Sequence, residues 1–247
     1  MKIAVIISQV PDTNTKIKLN SEANAIDESE IDWIINPYAE FAVEKALLLK
    51  ESGDVDEIIV FAEGNDETIS ALRSALAMGA DEAVLIKTDN FSPAKLAEEI
   101  KSREIDLILA AKKSIDHEAS WLEAAVAAEL DLPIITDASK ISWSGTELEV
   151  KREFAGDIEV LGVSAPALIT CDKGEDEPRY ASVMGLMKAK KKPLSEVEVS
   201  TDFDLTKLIN LKATLPAPKT EVKIFGGSPQ EAAKELLEAL RNEAKVI

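Results

Sequence analysis

The chain has 247 residues, 46% of them hydrophobic and 30% charged, the proportions of a globular protein with a sizeable core. A formal net charge of −18 repels polyanions, which argues against nucleic acid and against insertion at anionic membranes. One cysteine, Cys171, excludes an intrachain disulfide framework, and one histidine, His117, argues against a histidine-based metal site or a serine–histidine triad.

The apolar start, Lys2–Ile7, meets polar Ser8 and Gln9 too early for a secretory signal and reads as a buried strand. Asn36-Pro37 opens a helix, with Asn36 at the cap and Pro37 at the first helical position; Ala39, Ala42, Val43, Ala46 and Leu49 form its apolar stripe. Glu57–Ala62 is the next strand. A helix carrying Ile69, Leu72 and Leu76 follows and closes at Gly79, where a positive φ suits glycine. Ala83–Ile86 is a third strand, and Ser92-Pro93 caps a helix with Leu96, Ala97 and Ile100. Asp106–Ala110 is a fourth strand, followed by a helix marked by Trp121, Leu122, Ala125 and Val126 and by a strand over Pro133–Thr136. Such alternation means crossover connections and a parallel sheet covered on both faces. Ser144-Gly145, between Lys140–Trp143 and Glu147–Arg152, signals a hairpin; Ile158–Val163 and Ala167–Cys171 are further strands, and Cys171 is expected in the core. From Lys173 the chain is polar and proline-bearing and reads as an extended arm. It ends in a helix with a capping box at Ser228–Glu231 and apolar Ala233, Leu236, Leu237 and Leu240. The expected division is an α/β nucleotide-binding-like domain over 1–172 and an arm over 173–247.

Ligands of such sheets bind beyond the carboxyl ends of the strands, so the loops to inspect are Ser8–Thr13, Ala62–Asp66 and Ala111–Glu118. None carries a Gly-x-Gly-x-x-Gly fingerprint, a Walker loop or a nucleophile with a base. That points to a binding or carrier protein rather than an enzyme.

Several segments together resemble the beta (small) subunit of electron-transfer flavoproteins. They are Val10-Pro11-Asp12, Ile35-Asn36-Pro37-Tyr38, Ala75-Leu76-Ala77-Met78-Gly79-Ala80-Asp81, Ile115-Asp116, Val150-Lys151-Arg152-Glu153 and Pro166-Ala167-Leu168-Ile169-Thr170. The most telling are Glu177-Pro178-Arg179-Tyr180-Ala181-Ser182 and Met187-Lys188-Ala189-Lys190-Lys191-Lys192-Pro193. The resemblance runs over nearly the whole chain. It implies a mostly parallel, doubly wound, adenine-nucleotide-binding (HUP-like) α/β fold with a hairpin insertion and a partner-wrapping arm. It also implies an electron carrier rather than an enzyme, paired with an alpha subunit that holds most of a shared FAD. Acyl-CoA or related dehydrogenases are the implied donors and a quinone oxidoreductase the acceptor, with the carrier in the prokaryotic cytoplasm or another soluble intracellular compartment. Cofactor contacts are then expected at Ile6, Ser8, Thr13, Asn36, Ala62, Glu63, Lys113, Ser114, Asp116, Ser120 and Leu122. Partner docking is expected at Val183, Met184, Leu186, Met187, Lys188, Lys190 and Lys191, with Val183 in the place of the family's leucine anchor. The alternatives are a bifurcating subunit with a second flavin, or a free-standing nucleotide-binding protein of the universal-stress type. The latter needs a glycine-rich loop that Ala111–Ser120 lacks.

The family also implies AMP in the crevice, its phosphate on the loop after the fourth strand and the following helix N-terminus. Here Leu122 and Glu123 stand where that pattern has threonine and glycine, and Glu118 and Glu123 add negative charge near the positive helix end. The expectation is an AMP site that is degenerate or empty, and no second flavin. Trp121 is either core or a filler of the place a purine would take. Thr13 stands where some members stack a tyrosine on the flavin, so a polar contact is expected there.

Overall fold

The computed structural model describes residues 1–22, 25–88, 91–145, 147–199, 213–218 and 222–247; parts of the arm read from sequence lie outside these residues. The strands are β1 (Lys2–Ile6), β2 (Gln9–Pro11), β3 (Trp33–Ile35), β4 (Glu57–Gly64), β5 (Glu82–Lys87), β6 (Leu107–Ala111), β7 (Ile134–Trp143), β8 (Leu148–Phe154), β9 (Asp157–Val163), β10 (Ala167–Cys171) and β11 (Leu194–Glu198). The helices are α1 (Pro37–Glu51), α2 (Ile69–Met78), α3 (Pro93–Ser102), α4 (Leu122–Glu129), α5 (Val183–Ala189) and α6 (Pro229–Ala239).

Among the described residues, one nine-stranded sheet runs β11-β5-β4-β1-β6-β10-β7-β8-β9, and β2 and β3 form a separate antiparallel pair. Pairing is parallel from β11 through β7 and antiparallel from β7 through β9; the β7–β8 pair is the hairpin expected at Ser144-Gly145, and β9 extends it. Successive residues of a strand face opposite sides, and here both sides are apolar. Ile3 and Val5 of β1 join the core beneath α1 and α2, whereas Ala4 and Ile6 join the core beneath α3 and α4. Alanines dominate the buried stripe of α1, Ala39, Ala42 and Ala46, so that helix lies close to the sheet. Gly79 closes α2 with φ +150°, and a Cβ there would sit 2.7 Å from Leu47 Cδ2. Cys171 is buried at the end of β10, and burial pushes its thiol up to about 12.

The segment that sequence reads as extended also contains α5 and the edge strand β11, which pairs in parallel with β5. Helix α5 is inverted in character. It turns Gly185 and Ala189 toward α2, where a Cβ on Gly185 would meet the Ala77 carbonyl oxygen at 2.5 Å, and it leaves Val183, Met184, Leu186 and Met187 exposed. Arg73 of α2 donates to the carbonyls of Ala189 and Lys192 (2.6 and 3.0 Å). In return Lys192 donates to the carbonyls of Leu76, Gly79 and Ala80 at the end of α2 (3.0, 3.2 and 2.5 Å). The predicted capping box of α6 is present at Ser228 and Glu231. Among the described residues, no helix is long and apolar enough to cross a membrane.

Candidate functional site

Strand β1 lies between β4 and β6, so the loops after these three strands open at one end of the sheet with connections departing to opposite faces. Two adjoining cavities of about 290 and 270 Å³ lie there and share Ser8, Gln9, Phe91 and Asp116. The first is also lined by Trp33, Glu63, Asn65, Glu67 and Thr68, the second by Ser114, His117, Trp121, Leu122 and Glu123.

Of the predicted contacts, Ser8, Glu63, Ser114, Asp116 and Leu122 line this crevice. Ile6 and Ala62 are buried in the two cores. Asn36 does not cap α1 with its side chain as expected. It is fully buried, its Nδ2 donates to the Lys113 carbonyl (2.8 Å) and its backbone N–H donates to the Ser8 carbonyl (2.9 Å). It therefore ties the loop after β1 to the loop after β6. Thr13 and Ser120 are exposed, and neither lines these two cavities. Lys113 bonds Glu118 (2.8 Å), which holds that carboxylate below its ordinary value, and lies over the Tyr38 ring. Lys112 bonds Asp172 at 2.6 Å. The loop after β6 closes on itself: the Ser114 N–H donates to the Ala119 carbonyl, and Asp116 accepts from the Ser114 hydroxyl and the His117 N–H.

Trp121 is not a core residue. It is 49% exposed and meets Phe91 edge-on, with ring centroids 6.5 Å apart and planes at 82°. Phe91 escaped the sequence reading, because a lone aromatic between a strand and a helix carries no periodic signal.

Two carboxylates dominate the electrostatics. Glu63 is only 7% exposed; its Oε1 accepts the Ser92 N–H just before α3 (2.9 Å), while its Oε2 has no partner. Glu123, 8% exposed in the first turn of α4, likewise keeps its Oε2 without a partner. Loss of hydration pushes both up to about 7. A phosphate at this end of the sheet needs open helix N-termini. At α3 a carboxylate of the chain already accepts the Ser92 N–H, and at α4 a buried carboxylate stands in the first turn, so the residues present oppose the phosphate of AMP at both helices.

Comparison with known proteins agrees over the whole length. A family model described as electron transfer flavoprotein domain matches residues 23–202. The chain is 40% identical to the electron transfer flavoprotein subunit beta of Bacillus subtilis (strain 168), with 100% of both chains covered. It is 37% identical to the subunit of that name from Syntrophomonas wolfei, with 100% of this chain and 98% of that one covered. To the subunit of that name from Homo sapiens it is 31% identical, with 100% and 99% covered.

Proposed function

This chain belongs to the electron transfer flavoprotein family, among its beta subunits, and from that membership we propose that it carries electrons from an acyl-CoA or related dehydrogenase toward a quinone oxidoreductase. Proteins of this family are electron carriers rather than ordinary enzymes, and a beta subunit implies an alpha-subunit partner. We place the FAD mainly on that larger subunit, because no loop here carries a dinucleotide fingerprint. Bound there, the flavin would take up and release the electrons. This chain would brace the flavin-bearing partner, with Thr13 offering a hydroxyl at the flavin edge. In this reading residues 1–172 are the body and residues 173–247 the partner-engaging arm, and the protein works in a soluble intracellular compartment, the cytoplasm in a prokaryote.

The observation that carries the docking part is the inverted helix α5. Monomeric proteins rarely turn the larger apolar side chains of a helix to solvent while burying its small ones; a patch of that kind marks a partner site. Tyr180, 99% exposed, and Lys188, Lys190 and Lys191 flank it and suit an acidic partner surface. Further exposed apolar groups, Phe154, Ile158 and Val160 on the hairpin and Leu236 and Leu237 on α6, suit the alpha subunit.

Purification from the native host tests the proposal. The expected result is a heterodimer with one flavin equivalent, reduced by a dehydrogenase with its substrate. A stable, flavin-free monomer whose arm resists proteolysis would refute it.

A further inference from the structure

The crevice is lined by five carboxylates, Glu28, Glu63, Glu67, Asp116 and Glu123, and among the described residues by no lysine or arginine. The cations closest in sequence, Lys87, Lys112 and Lys113, are each paired: Lys87 with Asp66 and Glu196, Lys112 with Asp172 and Lys113 with Glu118. Acidic side chains at a surface are ordinarily solvated. Glu63 and Glu123 are not, since each is more than nine-tenths buried and each keeps one oxygen without a partner. Unpaired buried acceptors are costly, and two around one opening call for a donor arriving from outside. Phe91 and Trp121 add exposed ring faces and edges beside them, an arrangement that attracts a cation.

We propose that this crevice binds a phosphate-free aromatic cation, a flat ring bearing an amidinium or protonated amine, and rejects nucleotide phosphate. The cationic N–H groups would donate to Glu63 or Glu123 while the ring lies against Phe91 and Trp121. An anion would face the five carboxylates, two of which stand at the N-termini of α3 and α4. The proposal does not rest on the electron-transfer reading; flavin content and reducibility of the same samples report on that separately.

The test is calorimetry on the full chain purified with its partner subunit, using benzamidinium chloride and AMP as probes. Benzamidinium is expected to bind at least tenfold more tightly than AMP. Because a bound cation favours ionised carboxylates, its binding near pH 7 should release protons, read as a heat that depends on the ionisation enthalpy of the buffer. Asp116, His117, Glu28 and Glu67 face the same space, so Glu63→Gln and Glu123→Gln identify the source. At least one of them should weaken benzamidinium tenfold and reduce the proton release. AMP binding as tight as benzamidinium, no benzamidinium binding at millimolar concentration, or binding unchanged in both folded variants would overturn the proposal.

Discussion

Arg179 reaches back across the fold to Glu44 of α1, placing Nη2 2.7 Å and Nε 2.8 Å from its carboxylate oxygens while the Arg179 backbone N–H donates to the same group at 3.0 Å. The third guanidinium nitrogen, Nη1, bonds Glu51 at 2.6 Å. The carboxylate of Glu44 is 6% exposed, so the arginine neutralises a charge with little access to water, and it fixes where the chain enters α5. Arg179→Ala should leave that charge unpaired at a cost of about 3 kcal/mol, the low end for a buried pair because the arginine is partly solvated. Thermal unfolding of the assembled protein should fall by about 6–12 °C, with new proteolytic cleavage near Tyr180.

The four clustered lysines should separate by role. Lys192 is half-buried, its ammonium lowered by desolvation yet bonded to three carbonyls at the end of α2. Lys192→Met should lose about 2 kcal/mol, the scale of hydrogen bonds to a charged group. Lys190→Gln and Lys191→Gln are surface changes and should alter stability by less than about 0.5 kcal/mol. They should slow association with an acidic partner chiefly at low salt, which stopped-flow measurements over a salt series would show.

The outward face of α5 should matter for encounters and not for folding. Val183→Ala removes two carbon groups worth about 0.8 kcal/mol each if fully buried against a partner, so apparent affinity for the cognate dehydrogenase should drop by up to about fifteenfold. Leu186→Ala should drop it further. Melting temperature and flavin content should stay unchanged. Dehydrogenase titration curves identical to wild type in both variants would show that the helix is only structural.

Stability should decline as pH rises through neutrality. Glu63 and Glu123 have folded values near 7, above the ordinary 4.5, because of desolvation. Folding therefore takes up protons between these values. The associated stability is complete below about 4.5 and is lost as pH passes about 7. Each group amounts to about 3 kcal/mol at most. Denaturant unfolding from pH 5 to 8 should show the decline, and Glu63→Gln with Glu123→Gln should flatten it.

The central strands were legible because both faces of β1, β4, β5 and β6 are apolar, which leaves an unbroken run such as Ile58-Ile59-Val60-Phe61-Ala62. The hairpin was legible from Ser144-Gly145 between alternating flanks. Strand β11 was not, because Leu194-Ser-Glu-Val-Glu198 is short, polar and joined to β5 on one side only. In the crevice, Glu123 could be flagged as ill-suited to phosphate, but its burial could not be foreseen, since a glutamate on an acidic chain is ordinarily solvated. The part of Asn36 was hidden for another reason. Its cap position is a local pattern, whereas its bond to Lys113 spans 77 residues of sequence.

The place of β10 bears on how the chain is made. Strand β10 separates β6 from β7 in the sheet, yet it is synthesised after β7, β8 and β9. The β7–β9 meander needs only local contacts and forms early, but it has no edge to join until residues 167–171 leave the ribosome and slot in beside Leu107–Ala111. Up to that moment the nascent protein carries two unmatched strand edges, that of β6 and the facing one of β7. Such intermediates recruit chaperones or pair wrongly with neighbouring chains. Slowing translation while β7–β9 are outside the ribosome and residues 167–171 are still in its exit tunnel should therefore lower soluble yield more than the same pause placed once residues 167–171 have emerged.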